Sequence, residues 1–174
     1  QTYVEWSAQA DALARLFWPG PLTLVLPLRE GHGLSSLVTA GLSTVGLRVP
    51  AHPAAQAMLA HFDGPVAAPS ANLSGRISPT TADHVLAGLD GRIAAVLDDG
   101  ACAVGVESTI IGFDNMQAVL LRAGGVAAEE IEAVLGTSLA LPEAGSITAP
   151  GQMSSHYAPS GAVRLNATKA RAGE

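Results

Sequence analysis

Apolar residues recur along this chain in short bursts of two different periods. Trp6, Leu13, Leu16 and Phe17 fall at roughly helical spacing and stop before Pro19-Gly20-Pro21, which cannot continue a helix, so a helix is predicted over 5–17. The next burst, 22–28 (LTLVLPL), is too short for a surface helix and reads as a strand, as does 44–49 (TVGLRV), closed by Pro50. A second helix is expected at 54–62, with Ala55, Met58, Leu59 and Phe62 on one face, and a short buried strand at 66–68. Ser78 before Pro79 offers a hydroxyl N-cap and a proline at the first helical position, which predicts a helix running through Leu89. Further strands are expected at 94–97, 108–113 and 118–122, the last two as an antiparallel hairpin around Asp114-Asn115. A helix at 126–135 ends at Gly136.

Alternating short strands and helices predict an α/β fold: a twisted mixed β-sheet flanked by helices. The stretch 137–161, with Pro142, Pro150 and Pro159 and no sustained periodicity, reads as a linker, and 162–165 as the beginning of another strand. The expected organisation is therefore a domain over 1–136, a linker over 137–161 and the start of a truncated further domain over 162–174. No internal repeat is visible.

Composition narrows the partners. At 174 residues and 48% hydrophobic the chain can bury a real core, and with 4% aromatics that core must be built from Ala, Leu and Val. The formal charge is −6, and the only lysine, Lys169, lies in the tail beside Arg171. Direct nucleic-acid binding, which needs clustered Lys and Arg, is not supported. No apolar run approaches the roughly 20 residues of a membrane-spanning helix, so no membrane partner is expected. The single Cys102 has no internal partner for a disulfide, which points to a reducing cytoplasm, and its expected role is a small buried hydrophobe. The sequence opens at Gln1 without an initiator methionine or targeting segment, as a piece of something longer would.

The sequence contains no G-x-x-x-x-G-K-[ST] phosphate loop, G-x-G-x-x-G fingerprint, H-E-x-x-H or G-x-S-x-G elbow. Its five histidines are scattered without metal-ligand spacing. Any nucleotide would have to be held by hydroxyls, backbone N–H groups and arginine. The densest polar segment is 69–81, PSANLSGRISPTT, directly after the expected strand at 66–68. Ser70 and Asn72 offer hydroxyl and amide groups, Gly75 admits a close approach to the backbone, and Ser78 stands at a helix start where N–H groups favour phosphate. A loop of turn-formers that merely caps a helix has the same composition. Arg48 and Arg122 each follow apolar strand residues, where an arginine either alternates out to solvent or is aimed at a carboxylate or phosphate. Glu107-Ser108-Thr109 opens a strand with hydroxyls at its start.

At these residues the chain resembles the YrdC-like threonylcarbamoyl-AMP synthase family. The matching blocks are WPGPLT at 18–23, TVGLRVP at 44–50, PSANLSG at 69–75 with Ser78-Pro79-Thr80, ESTI at 107–110 and LRAG at 121–124. PGQM at 150–153 and SHYAP at 155–159 resemble the interdomain linker of two-domain members, which carry a smaller Rossmann-like domain after it. The resemblance implies a YrdC-like fold, incomplete here, and a nucleotidyltransferase that joins L-threonine, bicarbonate and ATP into threonylcarbamoyl-adenylate and pyrophosphate. Its product feeds a downstream tRNA-modifying transferase complex. Carried over by position, Thr44, Ser70, Asn72, Ser78, Arg122 and Tyr157 are expected to bind ATP, and Arg48, Ala68 and Ser108 to bind L-threonine. Mg2+ is expected on the ATP phosphates, no protein metal ligands are expected, and no residue stands out as a general base. The family's N-terminal segment, with its Lys-x-Arg pair, has no counterpart, because Gln1 already lies beyond it. The implied protein is thus a piece of a two-domain cytoplasmic enzyme, the alternative being a non-catalytic nucleotide- or threonine-binding module that keeps only the fold. Carbamoyl transfer of the hydrogenase-maturation type is disfavoured by the His156-Tyr157-Ala158-Pro159 linker.

Overall fold

In a computed structural model of the chain, the described residues are 2–142, 164 and 166–171. The element order is α1 (Ala8–Phe17), β1 (Leu22–Pro27), α2 (Ser36–Thr39), β2 (Thr44–Leu47), α3 (Pro53–Phe62), α4 (Ala82–Leu89), β3 (Thr109–Asp114), β4 (Gln117–Arg122) and α5 (Ala128–Leu135). The four strands form one mixed sheet in the order β2-β1-β3-β4. β1 runs antiparallel to β2 and parallel to β3, and β3 runs antiparallel to β4. The expected α/β class and the 108–122 hairpin are both present.

β1 is the axis of this arrangement. Leu22, Leu24 and Leu26 point to one face and are fully or almost fully buried, with Ile111 and Ala118, beneath Ala10 and Leu13 of α1 and Ile131 of α5. Val25 points to the other face and is buried beside Ile110, with Leu121 against them. A strand covered on both faces reads as a continuous apolar run, which is why 22–28 shows no alternation. Ser7 starts α1 by accepting a hydrogen bond from the Ala10 N–H at 3.1 Å. Gly136, at φ 68°, ends α5 in the left-handed conformation that glycine adopts freely.

Several sequence expectations fail between β2 and β3, and they fail together. The strands expected at 66–68 and 94–97 do not form, and Val66 and Leu97 are exposed instead. Short apolar stretches become strands only when a neighbouring strand takes up their backbone hydrogen bonds, and none is offered there among the described residues. α3 buries no residue: Met58 and Phe62 of its expected inner face are exposed. The helix expected from Ser78-Pro79 starts three residues later, with Thr81 accepting the capping bond from the His84 N–H at 3.3 Å. Cys102, expected to be buried, is exposed. The four-residue α2 was not signalled by any apolar period. Tyr157, most of the 137–161 linker and all of the 162–165 strand except Arg164 lie outside the described residues.

Candidate functional site

Strand directions bring four sequence-distant residues to one end of the sheet. The first residues of β1 and β3 and the last residues of β2 and β4 share that end, because Leu22 pairs with Thr109, Leu24 with Leu47 and Ile110 with Arg122. Thr23 therefore stands beside Ser108, the residue before β3, and Arg48, the residue after β2, stands across from Thr23. Arg122 closes the set from β4. Two arginines and two hydroxyls thus meet at one sheet end although they span 100 positions of sequence.

Ser108 is the hub. Its Oγ lies 2.7 Å from Thr23 Oγ1 and accepts from Arg122 Nη2 at 3.1 Å. Arg122 also donates from Nε and Nη2 to the Ser108 carbonyl at 3.1 and 2.8 Å. The residues on either side carry the same junction in two other directions. Glu107 Oε1 accepts from Ser78 Oγ at 2.7 Å, tying the 69–81 loop to the start of β3. Thr109, fully buried, donates to the Val126 carbonyl at 2.6 Å and accepts from the Val126 N–H at 2.9 Å, fixing the entry to α5. Gly124 makes this crossing possible. A Cβ there would lie 2.4 Å from backbone atoms of Glu107, Ser108 and Thr109, so only glycine lets the two segments pass.

The loop itself shapes two hollows. A cavity of about 340 Å3 is lined by Ser70, Ser78, Val85, Asp98, Asp99 and Cys102, among others. A neighbouring hollow of about 290 Å3 holds Asn72, Arg76 and His84 on its wall, with Ser78 shared between the two. Asn72 closes the loop on itself by donating from Nδ2 to the carbonyls of Leu73 and Arg76 at 2.8 and 3.1 Å. Its Oδ1 is buried without a hydrogen-bond partner. Asp99, on the wall of the first cavity, lies 3.7 Å from His52, and both side chains are more than half exposed, so this pair contributes little.

The expected site residues thus fall into three groups. Arg48, Ser108 and Arg122 share the sheet end. Ser70 and Ser78 share the first cavity, with Ala68 exposed just before it and Asn72 in the adjoining wall. Thr44, paired with Pro27, sits at the far end of β2, roughly 13 Å along the strand from Arg48. Tyr157 lies outside the described residues. Thr23, Glu107 and Gly124 received no individual role from the sequence. Thr23 had a usable signal, as the only hydroxyl in an otherwise apolar strand, whereas the grip of Glu107 on Ser78 spans 29 positions and had none.

A family model named Sua5/YciO/YrdC and described as telomere recombination matches residues 1–124. The chain belongs to this family. A second model, the threonylcarbamoyl-AMP synthase C-terminal domain, matches residues 126–174. The chain is 46% identical over 162 residues to a threonylcarbamoyl-AMP synthase of Bacillus subtilis, covering 90% of this chain and 46% of that relative. It is 45% identical over 160 residues to the one of Pyrococcus abyssi, covering 89% and 46%. The chain therefore spans less than half the length of these curated relatives. Among solved structures, P. abyssi Sua5 complexed with L-threonine superposes with a TM-score of 0.85 at 43% identity, over 92% of this chain and 48% of that one. Escherichia coli YciO, at 22% identity and TM-score 0.66, shares the fold. The family blocks in the sequence are the same segments that build the sheet end and the 69–81 loop.

Proposed function

We propose that the chain carries the substrate-binding core of a threonylcarbamoyl-AMP synthase, joining L-threonine, bicarbonate and ATP into threonylcarbamoyl-adenylate with release of pyrophosphate. The observation that carries this reading is the direct hydrogen bonding of Arg122 to Ser108. It links a position matched to ATP with one matched to L-threonine, so that two substrates would sit on one rigid unit. The P. abyssi Sua5 solved with L-threonine supports the amino-acid half of the reading.

In this proposal Arg48 meets the carboxylate of threonine, with the Ala68 backbone and Ser108 as its further contacts. Arg122, Ser70, Ser78, Asn72, Thr44 and Tyr157 hold ATP, the arginine and hydroxyls taking the place of a phosphate loop. Catalysis is mainly positioning: the threonine amine attacks bicarbonate carbon with loss of water to give the carbamate, and the carbamate oxygen then attacks the α-phosphorus as the bond to pyrophosphate breaks. Mg2+ belongs with the ATP phosphates, since magnesium keeps much of its water and is commonly held through substrate phosphates. Among the described residues no three of His, Cys, Asp or Glu gather at one point.

The proposed domain spans 1–136, because Val126 and Ile131 pack into the same core as Ala10 and Leu13; 137–161 then serves as linker and 162–174 as the start of a further domain. No helix among the described residues is long and apolar enough to cross a membrane, and we place the enzyme in the cytoplasm, upstream of a tRNA-modifying transferase complex. Incubation with ATP, L-threonine and bicarbonate should release pyrophosphate only when all three are present. Binding of ATP and threonine without pyrophosphate release would identify a non-catalytic module instead.

A further inference from the structure

We propose that Thr23 is a positioning residue of the amino-acid subsite, acting through Ser108. The inference rests on the reading of Ser108 as a threonine contact and adds a residue to which nothing above gives a role in binding. A serine hydroxyl has one O–H to donate and two lone pairs to accept with. Arg122 Nη2 occupies one lone pair of Ser108 Oγ, and Thr23 Oγ1 sits 2.7 Å away on another side. If Thr23 donates to Ser108, both lone pairs are filled and the Ser108 proton is directed outward, presenting a donor. If Ser108 donates to Thr23, Ser108 presents a lone pair and Thr23 holds the outward proton.

The Thr23–Ser108 pair is therefore a two-hydroxyl unit that offers one proton in either arrangement, while Arg122 holds the serine backbone still. Its donor state suits a carboxylate or carbonyl oxygen and its acceptor state suits an amine or hydroxyl hydrogen, which are the groups an amino acid with a hydroxyl side chain carries. A phosphate oxygen can use only the donor state, whereas an amino acid can use both. The Thr23 methyl faces Gly46 of β2, 3.3 Å from where a Cβ there would be, and its hydroxyl faces Ser108.

Thr23→Val keeps the shape and removes the hydroxyl, whereas Thr23→Ser keeps the hydroxyl and removes the methyl. Titration calorimetry of the whole chain with L-threonine and, separately, with ATP should show threonine affinity lowered about three- to tenfold in T23V. ATP affinity should stay within about twofold, and T23S should restore threonine binding. Equal threonine affinity in wild type and T23V overturns the inference while leaving the threonine subsite standing. Equal losses for ATP and threonine, or failure of T23S to rescue, also overturn it, since both indicate a merely structural role. A wild-type chain that binds ATP but no threonine overturns the amino-acid subsite itself and this inference with it.

Discussion

Residues 2–45 and 109–136 supply every buried residue of the described chain, and residues 46–108 supply none. The first region is assembled by burial: strands β1 and β3 are covered by α1 and α5, with side chains such as Leu13, Leu24 and Ile111 fully removed from water. The second is attached near its two ends, through the Gly20 N–H on the Val49 carbonyl at 2.8 Å, the Gly125 N–H on the Glu107 carbonyl at 2.9 Å and the bonds of Thr23 and Arg122 to Ser108. Apolar burial contributes free energy over every square ångström, whereas each hydrogen bond contributes about 1 kcal/mol net. The candidate site lies where the two meet. A rigid sheet end supplies Thr23, Ser108 and Arg122, and a lightly anchored loop supplies Ser70 and Ser78, which matches the general placement of binding loops at the low-stability end of a fold.

The largest expected contrast is in core truncation. Leu24→Ala should cost about 2–5 kcal/mol in denaturant unfolding. Leu86→Ala, on the half-exposed α4, should cost well under half as much. Equal losses would show that residues 46–108 belong to the same core, and amide hydrogen exchange would then fail to separate α3 and α4 from β1 and β3.

Glycine-to-alanine changes should reverse sign between the regions. Gly124→Ala places a Cβ against the backbone of 107–109 and should destabilise by about 1–3 kcal/mol. Gly88→Ala, in the last turn of α4, would have only Leu73 Cγ at 4.0 Å as a neighbour. It should stabilise by about 0.5–1 kcal/mol through helix propensity. Thermal melts of the two variants on either side of wild type would confirm the contrast.

Caps provide a smaller test. Thr81→Ala should cost about 1 kcal/mol and lower the helical signal, because Thr81 is the residue capping α4. Ser78→Ala should leave the helical signal unchanged and loosen the loop, seen as faster proteolysis between Ser70 and Thr80. A loss of helicity in S78A would return the cap to Ser78.

The smallest effect sits on α1. Asp11 accepts from Arg15 Nε at 2.6 Å and from Trp6 Nε1 at 3.2 Å, and these bonds, Arg15's first, hold its carboxyl below the usual carboxylate range. A carboxyl lowered in the folded state stabilises fully above the ordinary carboxylate pKa and loses that contribution as pH falls through the lowered value. The stability difference between wild type and Asp11→Asn should therefore be small and constant near neutrality and shrink below about pH 4. An exposed pair of this kind is also screened by salt, so raising the ionic strength should shrink it further.

Local chemistry fixed most elements of the well-packed region in advance. The proline-glycine-proline stop after α1, the unbroken apolar run of β1, the 108–122 hairpin and the Gly136 end of α5 depend on residues within a few positions of each other. The family blocks likewise singled out the segments that form the site. Tertiary structure decided the rest. The apolar stretches 66–68 and 94–97 look like strands by composition, yet a strand exists only where another accepts its hydrogen bonds, and that partner is set by topology. Ser78 beside Pro79 has the local signature of a cap, but Glu107, 29 positions away, takes its hydroxyl instead. The meeting of Thr23, Arg48, Ser108 and Arg122 follows from strand direction alone, since reversing any one strand would carry its residue to the opposite end of the sheet.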